Sequence, residues 1–357
     1  MKIYRSIIIK LPSIDIDLRR LQAYTNIAYR GYLFKHPELP ATIYYILKDF
    51  YTRHSLVFGT SPKRWFCKVW FPMPIQRIVN GRKVGSNASP IVLDFDHGII
   101  RLRIVTRLTL PMPRWCIDRL REGANFRFAL LGSKRDKPCL VLVAEKEAPT
   151  PYKAESILVI DVNSWKHGIS WGLIKNGKIV SQGTERPNLR NIDTWYWKAV
   201  LLEQELGKLK RLGLHKTEKA KRIRREAKNL RRKIHAYLRD YVNKLVHKLV
   251  IKAVRNKAKI VIDDVPDISI RQLREELLDS GLAKIYLSGL RHFIDLLINQ
   301  CKWYGIPVET RRLPSTTCPR CSTRLIEEKA RLMKCPNCGL LINRDKVPIV
   351  YIVHVRT

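Results

Sequence analysis

Acidic residues are what this sequence lacks. Asp and Glu number 31 against 68 Lys and Arg in 357 residues, giving a formal net charge of +37. A chain so one-sided repels itself unless a polyanion neutralises it. A nucleic acid is the expected partner; an anionic membrane surface is the rival, and a chain embedded in RNA is a third reading. Long apolar runs are missing too. Nothing approaches the roughly 18 residues of a membrane-spanning helix. The start, MKIYRSIIIKLPSIDIDLRR, does not read as a secretory signal, because Lys10 breaks its short apolar run and acids follow. The expected location is therefore the cytoplasm, in association with the nucleoid and without a membrane partner. What is present is ordinary: a hydrophobic content of 45% supports buried cores in two or three domains.

The eight cysteines fall into two sets. Cys67, Cys116, Cys139 and Cys301 stand alone and read as small buried hydrophobes. Cys318, Cys321, Cys335 and Cys338 form CPRC and CPNC, thirteen residues apart. In a reducing compartment this spacing favours metal over disulfide. Four thiolates suit tetrahedral zinc and leave no open position, so the expected zinc is structural. Pro319 and Pro336 inside the turns, with Gly339 after the second, fit a zinc ribbon.

Three stretches differ in pattern. Residues 1–18 read as a strand and turn, and 19–58 as helical. Residues 64–148 hold short alternating runs separated by turn formers, expected to form an antiparallel sheet or small barrel. From 156 the order is three strands, a helical stretch over about 193–258, a strand, a helix over about 284–304, a strand, then the cysteine segment. An RNase H-like sheet has that order, its first three strands antiparallel and later ones added by crossovers.

Acids sit at the ends of buried-strand patterns. Asp161 follows ILVI, Asp263 and Asp264 follow KIVI, and Asp345 follows the cysteine segment. Singly, each reads as a turn cap. In an RNase H-like core the first and fourth strands are neighbours, so Asp161 falls beside Asp263 or Asp264. Clustered carboxylates bind hard divalent cations, and such a pair of ions activates water against a phosphodiester. Over 201–258, 19 Lys and Arg face 5 acids. Lys221, Arg222, Arg224, Arg225, Arg231, Arg232 and Lys233 are the candidate phosphate contacts. Trp195–Trp197, Trp65 and Trp70 are either core residues or base-stacking platforms.

At these residues the sequence resembles the TnpB family. These are RNA-guided endonucleases of bacterial and archaeal insertion sequences, related to the type V CRISPR effectors. IDVN at 160–163, IVIDDV at 260–265, the paired CxxC motifs and NRD at 343–345 carry the resemblance, and WYGIPVETRRLPSTTCPRC resembles the run-in to the family's ribbon. It is specific over 156–345 and rests on layout alone over 1–150. It implies an α/β multidomain chain: a wedge-like β-barrel at 1–18 and 59–150, a helical recognition insert at 19–58, a RuvC-like nuclease at 151–314 and 339–357, and a zinc ribbon at 315–338. Asp161, Asp263 and Asp345 would be catalytic and hold magnesium. Guide RNA and a double-stranded DNA target would be the partners.

The sequence departs from the family pattern in three ways. Asp263 stands where Glu is usual. Asn343 replaces the first acid of the third motif, and Pro348 stands where Ala is usual, opening a β-branched tail that is a poor helix former. The sequence ends twelve residues after Asp345, earlier than usual. Metal-dependent DNA cleavage is the expected activity; guided DNA binding without cleavage is the alternative.

Overall fold

The computed structural model describes residues 2–12, 70–87, 89–103, 108–134, 137–264 and 280–354. The expected insert at 19–58, Trp65 and Cys67 lie outside these. The chain divides into two units, Met1–Ala148 and Pro149–Thr357.

The first unit is built on a sheet. Its strands are β1 (Lys2–Lys10), β2 (Trp70–Val79), β3 (Arg82–Val84), β4 (Ile91–Asp94), β5 (Ile99–Leu102), β6 (Leu108–Pro111), β7 (Asn125–Lys134) and β8 (Lys137–Glu147), with helix α1 (Arg114–Arg121) before β7. The order is β1-β8-β7-β2-β4-β5-β6, with β3 paired to β2. All pairs are antiparallel except β2–β4. The expected antiparallel sheet is thus present with one parallel pair, and among the described residues β1 and β6 remain its edges. Asn80 and Gly81, both at positive φ, make the β2–β3 turn, as Asn-Gly does in tight hairpins. Asp96 holds that turn by accepting from both backbone N–H groups, at 2.7 and 2.8 Å.

The second unit is α/β. Strands β9 (Ser156–Val162), β10 (Ile169–Lys175) and β11 (Lys178–Glu185) form an antiparallel meander. Asn176 and Gly177, at φ 50° and 71°, turn β10 into β11, as the KNGK sequence requires. Helices α2 (Leu189–Arg211) and α3 (Glu218–Arg255) follow, then β12 (Ala258–Asp263), α4 (Ser280–Leu287), α5 (Leu290–Tyr304) and β13 (Val308–Arg311). The sheet order is β11-β10-β9-β12-β13, and β12 is parallel to both β9 and β13. β9 is central and buried along its whole length, which is why it reads as an unbroken apolar run. β11, at the edge, alternates between exposed and half-buried.

The helical stretch expected over 193–258 is two helices. Gly213, at φ 74°, follows the first. Thr217 caps the second, its hydroxyl accepting from the Ala220 N–H at 3.3 Å. The helix expected over 284–304 is likewise broken, at Gly289 with φ 81°. One sheet face carries the main core: Leu158, Ile160 and Val162 of β9 and Ile260 and Ile262 of β12 meet α2, α3 and α5 through Ile192, Ile234, Leu238, Leu245 and Phe293. Trp195 packs at the margin of this core and Tyr196 is buried, while Trp197 is exposed.

Strands β14 (Ile326–Lys329), β15 (Leu332–Lys334) and β16 (Leu341–Asn343) make a small antiparallel sheet around the cysteines. A 3-10 turn, Arg344–Lys346, leads into α6 (Val347–His354). This helix forms over VPIVYIVH against its propensity. Pro348 lies in its first turn, where a missing N–H costs nothing, and burial of Val347, Ile349 and Ile352 supplies the stabilisation. Gly172 of β10 makes the docking possible, because a Cβ there would collide with Ile349.

Candidate functional site

Strand parity positions the site. Ile157, Val159 and Val261 point to the face covered by α6, where they pack with Ile349, Ile352 and Leu313. Asp161 and Asp263 are two residues beyond Val159 and Val261, so they occupy the same face at the carboxyl ends of parallel strands. The register pairs Ile160 with Ile262, which sets the two aspartates on neighbouring strands at the same level. Asp345, in the turn that opens α6, arrives on that face from the ribbon. The structure therefore brings Asp161, Asp263 and Asp345 together; Asp264 instead donates its backbone N–H to the Arg311 carbonyl at 3.1 Å.

Asn163 and Arg331 join this group. The Asn163 Nδ2 donates to Asp161 Oδ2 at 2.6 Å and to Asp345 Oδ1 at 3.2 Å. The Arg331 guanidinium donates from Nε to Asp345 Oδ2 at 3.1 Å, from Nη2 to Asp345 Oδ1, and from Nη2 to Asn163 Oδ1 at 3.3 Å. Arg331 lies in the β14–β15 turn with φ 59°, an unusual conformation for a long side chain. Its N–H donates to Glu327 Oε1, and its carbonyl accepts from the Arg344 N–H, both at 2.8 Å. The ribbon hairpin is thereby tied to the residue before Asp345.

The electrostatics are those of crowded carboxylates. Asp161 is 5% exposed. Burial, reinforced by Asp263 and Asp345, pushes its carboxyl up to about 8, against the pull of Asn163 and Arg331. Burial also raises Asp263, opposed by the Leu313 N–H bonded to it at 2.8 Å. His167 is held down at about 4, chiefly by burial and then by Arg331, so its imidazole is neutral beside the site.

The cysteines form a separate cluster. Their four Sγ atoms all lie within 4.8 Å of one another. Cys318 and Cys338 are 3.6 Å apart, and Cys321 and Cys335 are 3.4 Å apart. A tetrahedron with Zn–S bonds of about 2.3 Å has edges of about 3.8 Å, so the donor set fits zinc. The two knuckles repeat one geometry. Ser322 and Gly339, each four residues after the first cysteine of its knuckle, have φ 58° and 71° and bond back to Cys318 and Cys335. Among the described residues this is the one group of three or more metal-ligating side chains drawn so close. Val347, the first residue of α6, is buried in the ribbon core with Cys318, Leu325, Met333 and Cys335.

The family profile described as "Cas12f1-like, TNB domain" matches residues 291–349, from α5 through the ribbon and Asp345 to α6. A TnpB-like protein of Methanocaldococcus jannaschii is 25% identical over 242 residues, covering 63% of this chain and 77% of that one. The chain is thus similar to a TnpB-like protein over most of its length. Among solved structures, a Cas12f1–sgRNA–target DNA complex is similar at a TM-score of 0.49 and 11% identity, over 94% of this chain and 78% of that one. CasPhi-2 (Cas12j) bound to crRNA is similar at a TM-score of 0.36 and 13% identity, over 72% and 61%.

The seven basic positions expected to contact phosphate fall into two groups. Arg231 is committed to Glu203, at 2.7 and 3.1 Å, and lies over the Tyr196 ring. Lys233 lies over Trp195, Lys221 pairs with Glu218 at 2.7 Å, and Arg224 donates to the His215 carbonyl at 3.4 Å. Arg222, Arg225 and Arg232 make no ion pair among the described residues and are exposed. Sequence reasoning missed Asn163 and Arg331 as site residues. Asn163 was visible as the end of IDVN; nothing in the sequence marks Arg331. No described helix is long and apolar enough to cross a membrane.

Proposed function

We propose that this TnpB-like chain is an RNA-guided DNA endonuclease whose second unit is an RNase H-like, RuvC-type nuclease. The convergence of Asp161, Asp263 and Asp345 on one sheet face carries this reading. The sheet order, with its antiparallel meander and two parallel additions, supports it. Under the same proposal 1–18 and 59–150 act as a wedge, 19–58 as a recognition insert, and 315–338 as the zinc ribbon. Guide RNA and double-stranded DNA are the partners at the nucleoid, the guide reading the target by pairing.

The residues fit a hard divalent cation. Three carboxyl groups, of which Asp161 is pushed up to about 8 by burial and then by Asp263 and Asp345, form an oxygen donor set in which a cation would favour the ionised form. Magnesium held there supplies activation of a water and stabilisation of the leaving oxygen of a phosphodiester. Asp161, Asp263 and Asp345 would be its ligands. Asn163 fixes the spacing of Asp161 and Asp345 through one amide nitrogen. Arg331 neutralises Asp345 through its paired hydrogen bonds, and a cation held at Asp345 would compete with it. Asp263 is one methylene shorter than the Glu usual in the family, so its backbone placement beside β13 and its bond from the Leu313 N–H fix its reach.

The test is cleavage of a matched plasmid by the full chain with its co-purified RNA and magnesium. Cutting that disappears in Asp161→Ala supports the assignment; equal cutting by that variant overturns the site. Guided binding with no cutting in magnesium or manganese would select the nuclease-inactive alternative, and absence of a discrete co-purified RNA would remove guidance altogether.

A further inference from the structure

The loop that carries Asn163 to the site hangs from a helix joint. It runs from Asn163 to Gly168, between β9 and β10. It closes on itself where the Ser164 carbonyl accepts from the N–H groups of His167 and Gly168, at 2.9 and 2.8 Å. Its fixed point is Trp165, which is fully buried. The Trp165 backbone N–H donates to the Tyr286 carbonyl at 2.9 Å, and its indole Nε1–H donates to the Ser288 carbonyl at 2.7 Å. Tyr286 lies in the last turn of α4 and Ser288 just beyond it, where a helix leaves carbonyls without partners. In an unbroken helix those two carbonyls would be taken by the N–H groups of Leu290 and His292. The break at Gly289 leaves them for Trp165.

The indole is held on its other sides too. It meets Tyr241 of α3 and Phe293 of α5 edge to face, with centroids 5.7 and 6.3 Å away and planes at 88° and 85°. Tyr286 is itself tied to α2, its hydroxyl donating to Asp193 Oδ1. At the far end of the loop Gly168 stands at φ 88°, and a Cβ there would come within 2.6 Å of the Glu185 carbonyl oxygen of β11. The loop is thus pinned in its middle and at its end. A large apolar side chain would fill the hole at 165, but two directed hydrogen bonds also fix the angle at which the loop leaves it. One residue, the buried Ser164, separates this peg from Asn163. The Asn163 amide bridges Asp161 and Asp345, so a shift of the peg reaches both carboxyl groups.

We propose that Trp165 is a positioning residue for the carboxylate site: its two hydrogen bonds to the α4–α5 joint set where Asn163 stands, and Asn163 sets the separation of Asp161 and Asp345. The inference rests on the cation site proposed above and adds the element that fixes its geometry. Trp165 acts through Asn163, without itself being bonded to either carboxyl group.

The experiment titrates the full chain with manganese by calorimetry and follows plasmid cleavage in parallel. Trp165→Phe keeps a ring in the core and removes the indole donor. Changing a group that orients a metal ligand costs about 10–100-fold in affinity, and Trp165 acts one residue farther out, so a loss of about three- to tenfold is expected. The kcat should fall with the KM for plasmid unchanged. Phe293→Leu disturbs the same core but neither hydrogen bond; it is expected to lower the melting temperature and leave manganese affinity unchanged. In an Asn163→Ala background Trp165→Phe should add nothing, because the two act as one unit. Parent-like affinity in Trp165→Phe overturns the proposal. So does an equal loss in Phe293→Leu, an undiminished further loss in the Asn163→Ala background, or a change confined to KM. If Trp165→Phe does not fold, 3-benzothienylalanine at position 165, with sulfur in place of the N–H, makes the same comparison at nearly constant shape. No manganese binding by the parent would instead remove the cation site on which the proposal rests.

Discussion

Arg331 spans the gap between the ribbon hairpin and the sheet to hold Asp345, its Nε 3.1 Å from Oδ2. The side chains are 17% and 13% exposed, so the pair is shielded from solvent and weakly screened. A guanidinium here does for Asp345 what a cation would do.

The two are therefore competitors. Arg331→Gln is expected to tighten manganese binding by about tenfold, equivalent to about 1.4 kcal/mol, and to lower the melting temperature of the metal-free chain. Calorimetric titration with manganese measures the first effect and thermal denaturation in chelator the second. Weaker or unaltered manganese binding would show that Arg331 does not occupy the cation's place.

Asp161 predicts a pH dependence. Its folded carboxyl stands at about 8, above an unfolded value near 3.9. The raised value means that this group favours the folded state fully below about pH 4, and that the contribution is lost as pH rises toward about 8. Metal-free chain should lose melting temperature across that window, and Asp161→Asn should lose less. A decline of the same steepness in Asp161→Asn would assign it to other groups. Divalent cation should oppose the loss in the parent by favouring the ionised carboxylate.

Gly172 and Gly207 form a matched pair for testing α6. A methyl at Gly172 would strike Ile349, whereas Gly207 in α2 has open space beside it. Gly172→Ala is expected to destabilise by about 1–3 kcal/mol and to reduce cleavage, because Asp345 sits in the turn that leads into α6. Gly207→Ala should stabilise by up to about 1 kcal/mol. Denaturant unfolding of both variants decides; a neutral Gly172→Ala would mean that α6 is not seated against β10.

Removing the ribbon's metal should act at a distance. Cys335→Ser is expected to release zinc, abolish cleavage and leave the far-ultraviolet circular dichroism of the α/β unit nearly unchanged. Zinc content by atomic absorption and plasmid cleavage are the two readouts. Full cutting by a zinc-free variant would uncouple the ribbon from Asp345.

How much of this could be read from sequence depended on range. The zinc cluster was legible because each knuckle is four residues with its own hydrogen bonds. The aspartates were legible because each ends a buried strand or follows the ribbon, and the strand order brings those ends together. Asn163 and Arg331 were not. Their bonds join positions 182 and 168 residues apart, and the Arg331 backbone is bent into place by a hairpin turn that no local motif announces. Helix α6 was hidden for another reason: its β-branched sequence argues for a strand, and only packing on Gly172 and the ribbon makes it helical. The break between α2 and α3 could have been read from Gly213 and the Thr217 cap.

The alternation along β9 divides labour residue by residue. Leu158, Ile160 and Val162 face the helices, while Ile157, Val159 and Asp161 face α6. A deletion of one residue before Ile160 would keep nearly every side chain and the composition, yet it would turn Asp161 into the hydrocarbon core and bring Val162 to the cation's door. The chain is therefore expected to tolerate many substitutions along this strand better than a single change in its length.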